Sequence, residues 1–268
     1  MTSSLLHTPE GVRDIYNQEC ARKMVLQENL QSLLKQYGYV AIQTPTFEFF
    51  DIFGREIGTT PSKDLYKFFD KEGNTLVLRP DITPSIARCV TKYFSDEDMP
   101  IRLWYQGNTF INNSSYQGRL KESTQLGAEL VGDDSVDADA EIIALVVNAL
   151  KTAGLSEFQV SIGHVDFLKG LVAAANLGDE TVDELENLIS NKNFFGVDEL
   201  ISSLAMDEKL KKLFRHLGDI YENADGLDEI ADLSGEYPSI YASVERLRSL
   251  YELLASYGVE DYVSMEPG

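Results

Sequence analysis

Two carboxylates, an amide and a hydroxyl stand where they can meet. Asp81 and Thr83 fall in the run RPDIT, at the junction of a strand-like segment and a helix-like one. Gln125 and Glu129 fall four apart in TQLGAELVG, and because strand side chains alternate, an even spacing turns both to one face. Convergence of these four groups at the open end of a sheet suits a primary ammonium, which carries one positive charge and three donors and so needs charge and acceptors together. The same four side chains suit a polar network that only ties strand to helix, or a solvated sheet face. Spacing alone leaves these readings open.

Other chemistries find less material. His7, His164 and His216 lie on separate elements without metal-ligand spacing. His164, at the end of the strand-like SIGHVDF, either lines a pocket or is satisfied by backbone partners, the second being the ordinary fate of such a residue. No nucleophile elbow, phosphate-binding glycine loop or dinucleotide fingerprint occurs. The stretch NTFINNSSYQGR (108–119) lies between two apolar runs and carries its only charge on Arg119, so as the tip of a hairpin it is unusually bare.

The elements that must carry these groups follow from periodicity. Leu26, Leu30, Leu33 and Tyr37 recur at helical spacing with Gly38 just beyond. Val40 to Gln43 suggest a short strand, and Pro45 marks an edge, a bulge or a strand start. Residues 65–81 read as a hairpin around the turn chemistry of Asp70 to Asn74. The helix that follows has Thr83 as its expected cap and Pro84 at its first position. A second hairpin runs from Ile101 to about Gly132. DDSVDADAEIIALVVNALKTAG is the clearest helix, with acidic residues at its N-terminal end and Gly154 closing it. Phe158, Val160 and Ile162 alternate as a strand; the chain then turns helical from about Val165 to Leu233, and a last helix spans roughly Tyr241 to Tyr257. Hairpins with helices between them imply an α+β fold, a mainly antiparallel sheet covered by helices.

The 268 residues, 43% hydrophobic, suffice for a sizeable core. A formal charge of -21, with Lys and Arg scattered, opposes nucleic acid as a partner. No stretch is long and apolar enough to suggest a membrane span, and the N-terminus lacks a signal-peptide pattern. Only Cys20 and Cys89 occur, each within an apolar helical pattern, which speaks against a disulfide framework and suits a reducing, cytoplasmic compartment.

Read together, TPEGVRDI, YGYVAIQTPTFEFFDIF, LVLRPDITPSIAR and the segment from Ile101 to Gly132 resemble the class II core of histidyl-tRNA synthetase. They resemble more closely its non-synthetase relative, the regulatory subunit of ATP phosphoribosyltransferase, as does IGHVDFLKGLV. The resemblance runs through nearly the whole chain in order. It implies a class II aminoacyl-tRNA synthetase-like antiparallel sheet flanked by helices over residues 1–268, with a helical insertion over 165–235. It also implies further C-terminal strands and a third motif past Gly268, so the sheet is expected to lack strands and to leave an exposed edge.

In class II synthetases the first motif, here TPTFEFFDIF with Pro45, lies at the dimer interface, and the second motif is the hairpin with the bare tip. There the family carries an arginine for the α-phosphate of ATP and an aromatic that stacks on adenine. This chain has Ile111 at the arginine position, Asn113 at a glutamate position, Lys121 for a second arginine and Ser123 for the aromatic. An aliphatic side chain cannot neutralise phosphate charge and serine has no aromatic face, so adenylation chemistry is expected to be lost and no residue to be catalytic. The positions that receive the amino group of histidine are matched by Asp81, in place of a glutamate, and by Thr83, Gln125 and Glu129. The resemblance therefore implies a non-catalytic, cofactor-free subunit that forms a homodimer within a hetero-oligomer. Its partner would be the short-form catalytic subunit of ATP phosphoribosyltransferase, its ligand histidine, and its task feedback in the first step of histidine biosynthesis. The alternatives are an active histidyl-tRNA synthetase and a free-standing histidine-binding paralogue.

Overall fold

The computed structural model describes residues 6–54, 60–113, 118–221 and 224–267. The chain divides into two compact units, Met1–Asp133 and Asp134–Gly268, each with a core of its own.

The first unit begins with helix α1 (Asn17–Gln36). Gly38, with φ +83°, ends it: the amides of Gly38 and Tyr39 turn back onto the carbonyls of Lys35 and Leu34, a closure that needs the left-handed region glycine enters freely. Strand β1 (Val40–Ala41) follows, then β2 (Phe47–Phe49), β3 (Lys67–Phe69), β4 (Thr75–Leu78), helix α2 (Thr83–Tyr93), and the long hairpin β5 (Ile101–Phe110) and β6 (Glu122–Val131). The strands make two small sheets, ordered β1-β5-β6 and β2-β4-β3. The expected antiparallel pairing is present in both hairpins, but β1 runs parallel to β5, with Val40 opposite Leu103. A local sequence reading cannot see that pairing.

In the β3–β4 turn the Asp70 carboxylate accepts from the amides of Glu72 (3.0 Å) and Asn74 (2.8 Å) and from the Asn74 side chain (2.8 Å), which is how aspartate closes a turn by itself. Along β2, Glu48 points inward to Arg88 of α2 (2.6 Å) while Phe47 and Phe49 point out. Phe49, Leu76 and Phe68 stand in one row across β2, β4 and β3, and Phe47 meets Phe68 edge to face at 5.8 Å. The result is an aromatic sheet face of Phe47, Phe49 and Phe68, with Phe47 and Phe49 half or more exposed. Against the β1-β5-β6 sheet, Ile82, Ile86 and Val90 pack on Ile101, Leu103 and Tyr105.

The second unit runs through α3 (Val136–Thr152), β7 (Val160–Ile162), α4 (Val165–Ala175), α5 (Asp179–Ser190), α6 (Phe194–Ser203), α7 (Glu208–Arg215), α8 (Asp228–Ser234), α9 (Pro238–Tyr257) and β8 (Val263–Met265). The Ser135 side chain caps α3 by accepting from the Ala138 amide, Asp137 and Asp139 lie in its first turn, and Gly154 follows its end. His164 is the cap of α4: Nδ1 accepts from the Asp166 amide at 3.2 Å, the backbone-satisfied reading. Helix α9 begins at Pro238 rather than near Tyr241; proline suits a first helical position because no amide is needed there. The helices over 165–234 close with α9 around Phe167, Leu171, Leu185, Ile201, Leu213 and Phe214, all essentially inaccessible. Strand β8 pairs in parallel with β7 (Val160 opposite Val263) and is bridged to Tyr221 through Met265. Among the described residues no helix is long and apolar enough to cross a membrane, and both cysteines are free thiols.

Candidate functional site

The four residues singled out from spacing are brought together in the first unit, where the turn between β4 and α2 faces the β5–β6 ribbon. The Asp81 Oδ1 accepts from the Ile82 amide at 2.7 Å and from Gln125 Nε2 at 3.1 Å. Thr83 Oγ1 donates to Glu129 Oε1 at 2.7 Å. Thr83 is not the helix cap expected of it. It is the first helical residue of α2, Ile82 holds the cap position with no side-chain cap, and the threonine hydroxyl reaches Glu129 instead.

Sequence reasoning missed a fifth member, Tyr105. Register places Tyr105 opposite Gly127 and Gly107 opposite Gln125, so Tyr105, Gln125 and Glu129 share one sheet face. The Tyr105 hydroxyl donates to Glu129 Oε1 at 3.3 Å and lies 3.5 Å from Thr83 Oγ1. Burial, with the Glu129 and Asp81 carboxylates beside it, pushes the phenol up to about 12, so it remains a neutral donor at any physiological pH. Gly127 makes room for it: a Cβ there would lie 2.4 Å from the tyrosine oxygen. That glycine inside a strand was the available signal, because such glycines mark close approach.

Three oxygens remain. Asp81 Oδ2, Glu129 Oε2 and Gln125 Oε1 have no hydrogen-bond partner among the described residues, and Gln125 Oε1 is buried. Asp81 and Glu129 also lack an ion-pair cation among those residues. A buried acceptor left alone costs about 1–3 kcal/mol, and two carboxylates on one face raise the local negative potential. One small cation with three donors relieves both.

Farther along the hairpin, the Ile111 amide donates to the Lys121 carbonyl at 2.9 Å, the Asn113 side chain reaches the Leu120 carbonyl at 3.4 Å, and Ser123 Oγ pairs with Thr109 Oγ1 at 3.0 Å. The Asn113 amide nitrogen and the Ser123 hydroxyl thus bond within the hairpin itself. Residues 114–117 at the bare tip lie outside the described residues. A cleft of about 780 Å³ lies elsewhere in this unit, between the start of α1 and the alternate side of the ribbon. There Lys23 donates to Thr124 (2.6 Å) and Arg13 pairs with Glu19.

A sequence model of the family described as histidyl-tRNA synthetase matches residues 11–268. The chain belongs to the histidyl-tRNA synthetase family. Among its curated relatives is the ATP phosphoribosyltransferase regulatory subunit of Ruminiclostridium cellulolyticum, 38% identical over 263 residues that cover 98% of this chain and 62% of that protein. The protein of the same name from Clostridium kluyveri is 35% identical, with 98% and 67% covered. A solved ATP phosphoribosyltransferase regulatory subunit/histidyl-tRNA synthetase from Bacillus halodurans superposes with a TM-score of 0.85 at 34% identity, covering 98% of this chain and 68% of that one. A histidine–tRNA ligase subunit from Alicyclobacillus acidocaldarius, 23% identical with a TM-score of 0.75, shares the fold. The chain thus spans a little over three fifths of the first of these relatives.

Proposed function

We propose that this protein is a non-catalytic regulatory subunit of ATP phosphoribosyltransferase, and that the cluster of Asp81, Thr83, Gln125 and Glu129, joined by Tyr105, binds the ammonium group of histidine. The observation that carries the reading is the trio of unpartnered acceptors, Asp81 Oδ2, Gln125 Oε1 and Glu129 Oε2, matched in number to the three donors of a primary ammonium. Support for the non-catalytic half comes from the neighbouring ribbon. Ile111 and Ser123 offer neither a charge for a phosphate nor a ring for a base, and transition-state charge on phosphate needs fixed positive groups.

A sensor of this kind keeps the amino-acid half of a synthetase site without the nucleotide half. Its partner is the short-form catalytic subunit, which it activates and through which histidine feeds back in the first step of histidine biosynthesis. Coupling must be reciprocal: histidine prefers one state of the complex, and the catalytic subunit alters the affinity for histidine by the same factor. The exposed aromatic face of β2-β4-β3 supports self-association into a homodimer, because soluble chains rarely leave such a patch uncovered. The protein acts in the cytoplasm, and residues 165–235 form a helical insertion in the synthetase-like core.

The test is ATP phosphoribosyltransferase turnover by the matching catalytic subunit, alone and mixed with this chain, across a histidine titration. Turnover that appears on mixing and is suppressed by histidine is the expected result. No effect from this chain or from one extended to the length of its relatives overturns the proposal, and histidine-dependent pyrophosphate exchange into ATP revives the synthetase alternative.

A further inference from the structure

Arg79 opens the RPDIT run two residues before Asp81, and its side chain is almost wholly buried, 6% exposed. Nε donates to the Asn108 carbonyl at 2.9 Å, and Nη1 to the carbonyls of Thr44 (2.9 Å) and Pro45 (3.2 Å). All three acceptors are neutral. The carboxylate whose field reaches the guanidinium, Glu48, is engaged by Arg88, whose Nε and Nη2 both contact its Oε1 (3.1 and 2.6 Å). Among the described residues no carboxylate lies within ion-pair range of Arg79, and Nη2 has no acceptor.

The location of that nitrogen decides what it faces. A Cβ built on Gly107 would lie 2.0 Å from Nη2, so the guanidinium occupies the side-chain space of position 107. Gly107 is the cross-strand partner of Gln125 and shares its face. Opposed positions of an antiparallel pair stand about 5 Å apart at Cβ. A buried cation held only by carbonyls is stabilised by an anion, and this one presents its free donor beside acceptors suited to an ammonium. An ammonium and a carboxylate borne on one carbon can reach both.

We propose that Arg79 Nη2 is the carboxylate contact of the ammonium site, so that the site selects a free α-amino acid over the corresponding amine. This rests on the ammonium reading above and adds the residue that sets ligand class. Arginine's fixed fork lets two arms brace the backbone of β5 and of the segment before β2 while the third addresses the ligand, which lysine's single ammonium cannot do.

The experiment is calorimetric titration of the full 268-residue chain with L-histidine and with histamine, for wild type, Arg79→Lys and Gly107→Ala, the last displacing Nη2 without removing the charge. Wild type is expected to prefer histidine by about tenfold or more, the ratio of one charge-assisted hydrogen bond. In both variants that preference should collapse through weaker histidine binding, with histamine held within about twofold. A merely bracing Arg79 weakens both ligands alike, and that result overturns the proposal, as does equal affinity of wild type for the two. Where Arg79→Lys does not fold, Gly107→Ala carries the comparison. Binding of neither ligand by wild type sinks the ammonium reading itself and this inference with it, whereas equal binding of both sinks only this inference.

Discussion

Replacing Glu129 by glutamine separates the two roles of that side chain. Its Oε1 accepts from Thr83 (2.7 Å) and Tyr105 (3.3 Å), and a glutamine oxygen in the same place accepts both, so the fold should lose no more than about 1 kcal/mol, the net worth of a neutral hydrogen bond. Its Oε2, unpartnered among the described residues, becomes an amide nitrogen that presents donors to the incoming ammonium. The loss is then a charge-assisted hydrogen bond, about 1.5–3 kcal/mol, which corresponds to roughly a 10- to 150-fold weaker histidine complex. Calorimetric titration gives the affinity and urea unfolding of the same samples gives the stability. Asp81→Asn should weaken binding similarly but also destabilise the chain, because Asp81 Oδ1 holds the Ile82 amide and Gln125. Histidine affinities within threefold of wild type for both variants would refute the assignment of this cluster as the ammonium site.

Alkaline unfolding should report Tyr105 directly. Its proton is held more tightly in the folded chain, with the phenol pushed up to about 12, so its contribution is complete below pH about 10 and lost as pH rises towards 12. Tyr105→Phe should therefore flatten the fall of urea stability over that window by about 2 kcal/mol; parallel curves for the two proteins would contradict it. Gly127→Ala drives a methyl into the Tyr105 hydroxyl and should cost about 1–3 kcal/mol, with weakened histidine binding. In the second unit Phe167→Ala removes a ring with no accessible surface, and a loss of about 3–5 kcal/mol is expected in calorimetric melting. Phe47→Asp with Phe49→Asp should shift sedimentation towards the monomer if the aromatic face of β2-β4-β3 is the self-association surface, and unchanged sedimentation would exclude that face.

What the sequence revealed, and what it hid, divides along the range of the interactions. Helix α3 was legible because its cap, acidic first turn and closing glycine all lie within one segment, and Gln125 with Glu129 because strand alternation is a local rule. That Thr83 would enter α2 as its first residue, leaving Ile82 at the cap position, was not legible, since threonine is an ordinary capping residue. Tyr105 needed the register of β5 on β6, and Arg79 needed to be seen lying over Gly107, a contact 28 residues apart in the chain. The parallel pairings of β1 with β5 and of β7 with β8 join segments separated by whole hairpins or helices, and no periodicity announces them.

The division into two units also sorts the chain's charge. Of the 44 acidic and 23 basic residues, 27 and 9 fall in Asp134–Gly268, leaving that unit near -18 and the first unit near -3. Self-repulsion at such a density opposes the compact state and is screened by ions over a Debye length of about 8–10 Å at ordinary ionic strength. Salt is therefore a lever on one half of the molecule more than the other: raising it steadies the helical unit, while the unit that carries the candidate site folds almost indifferent to it.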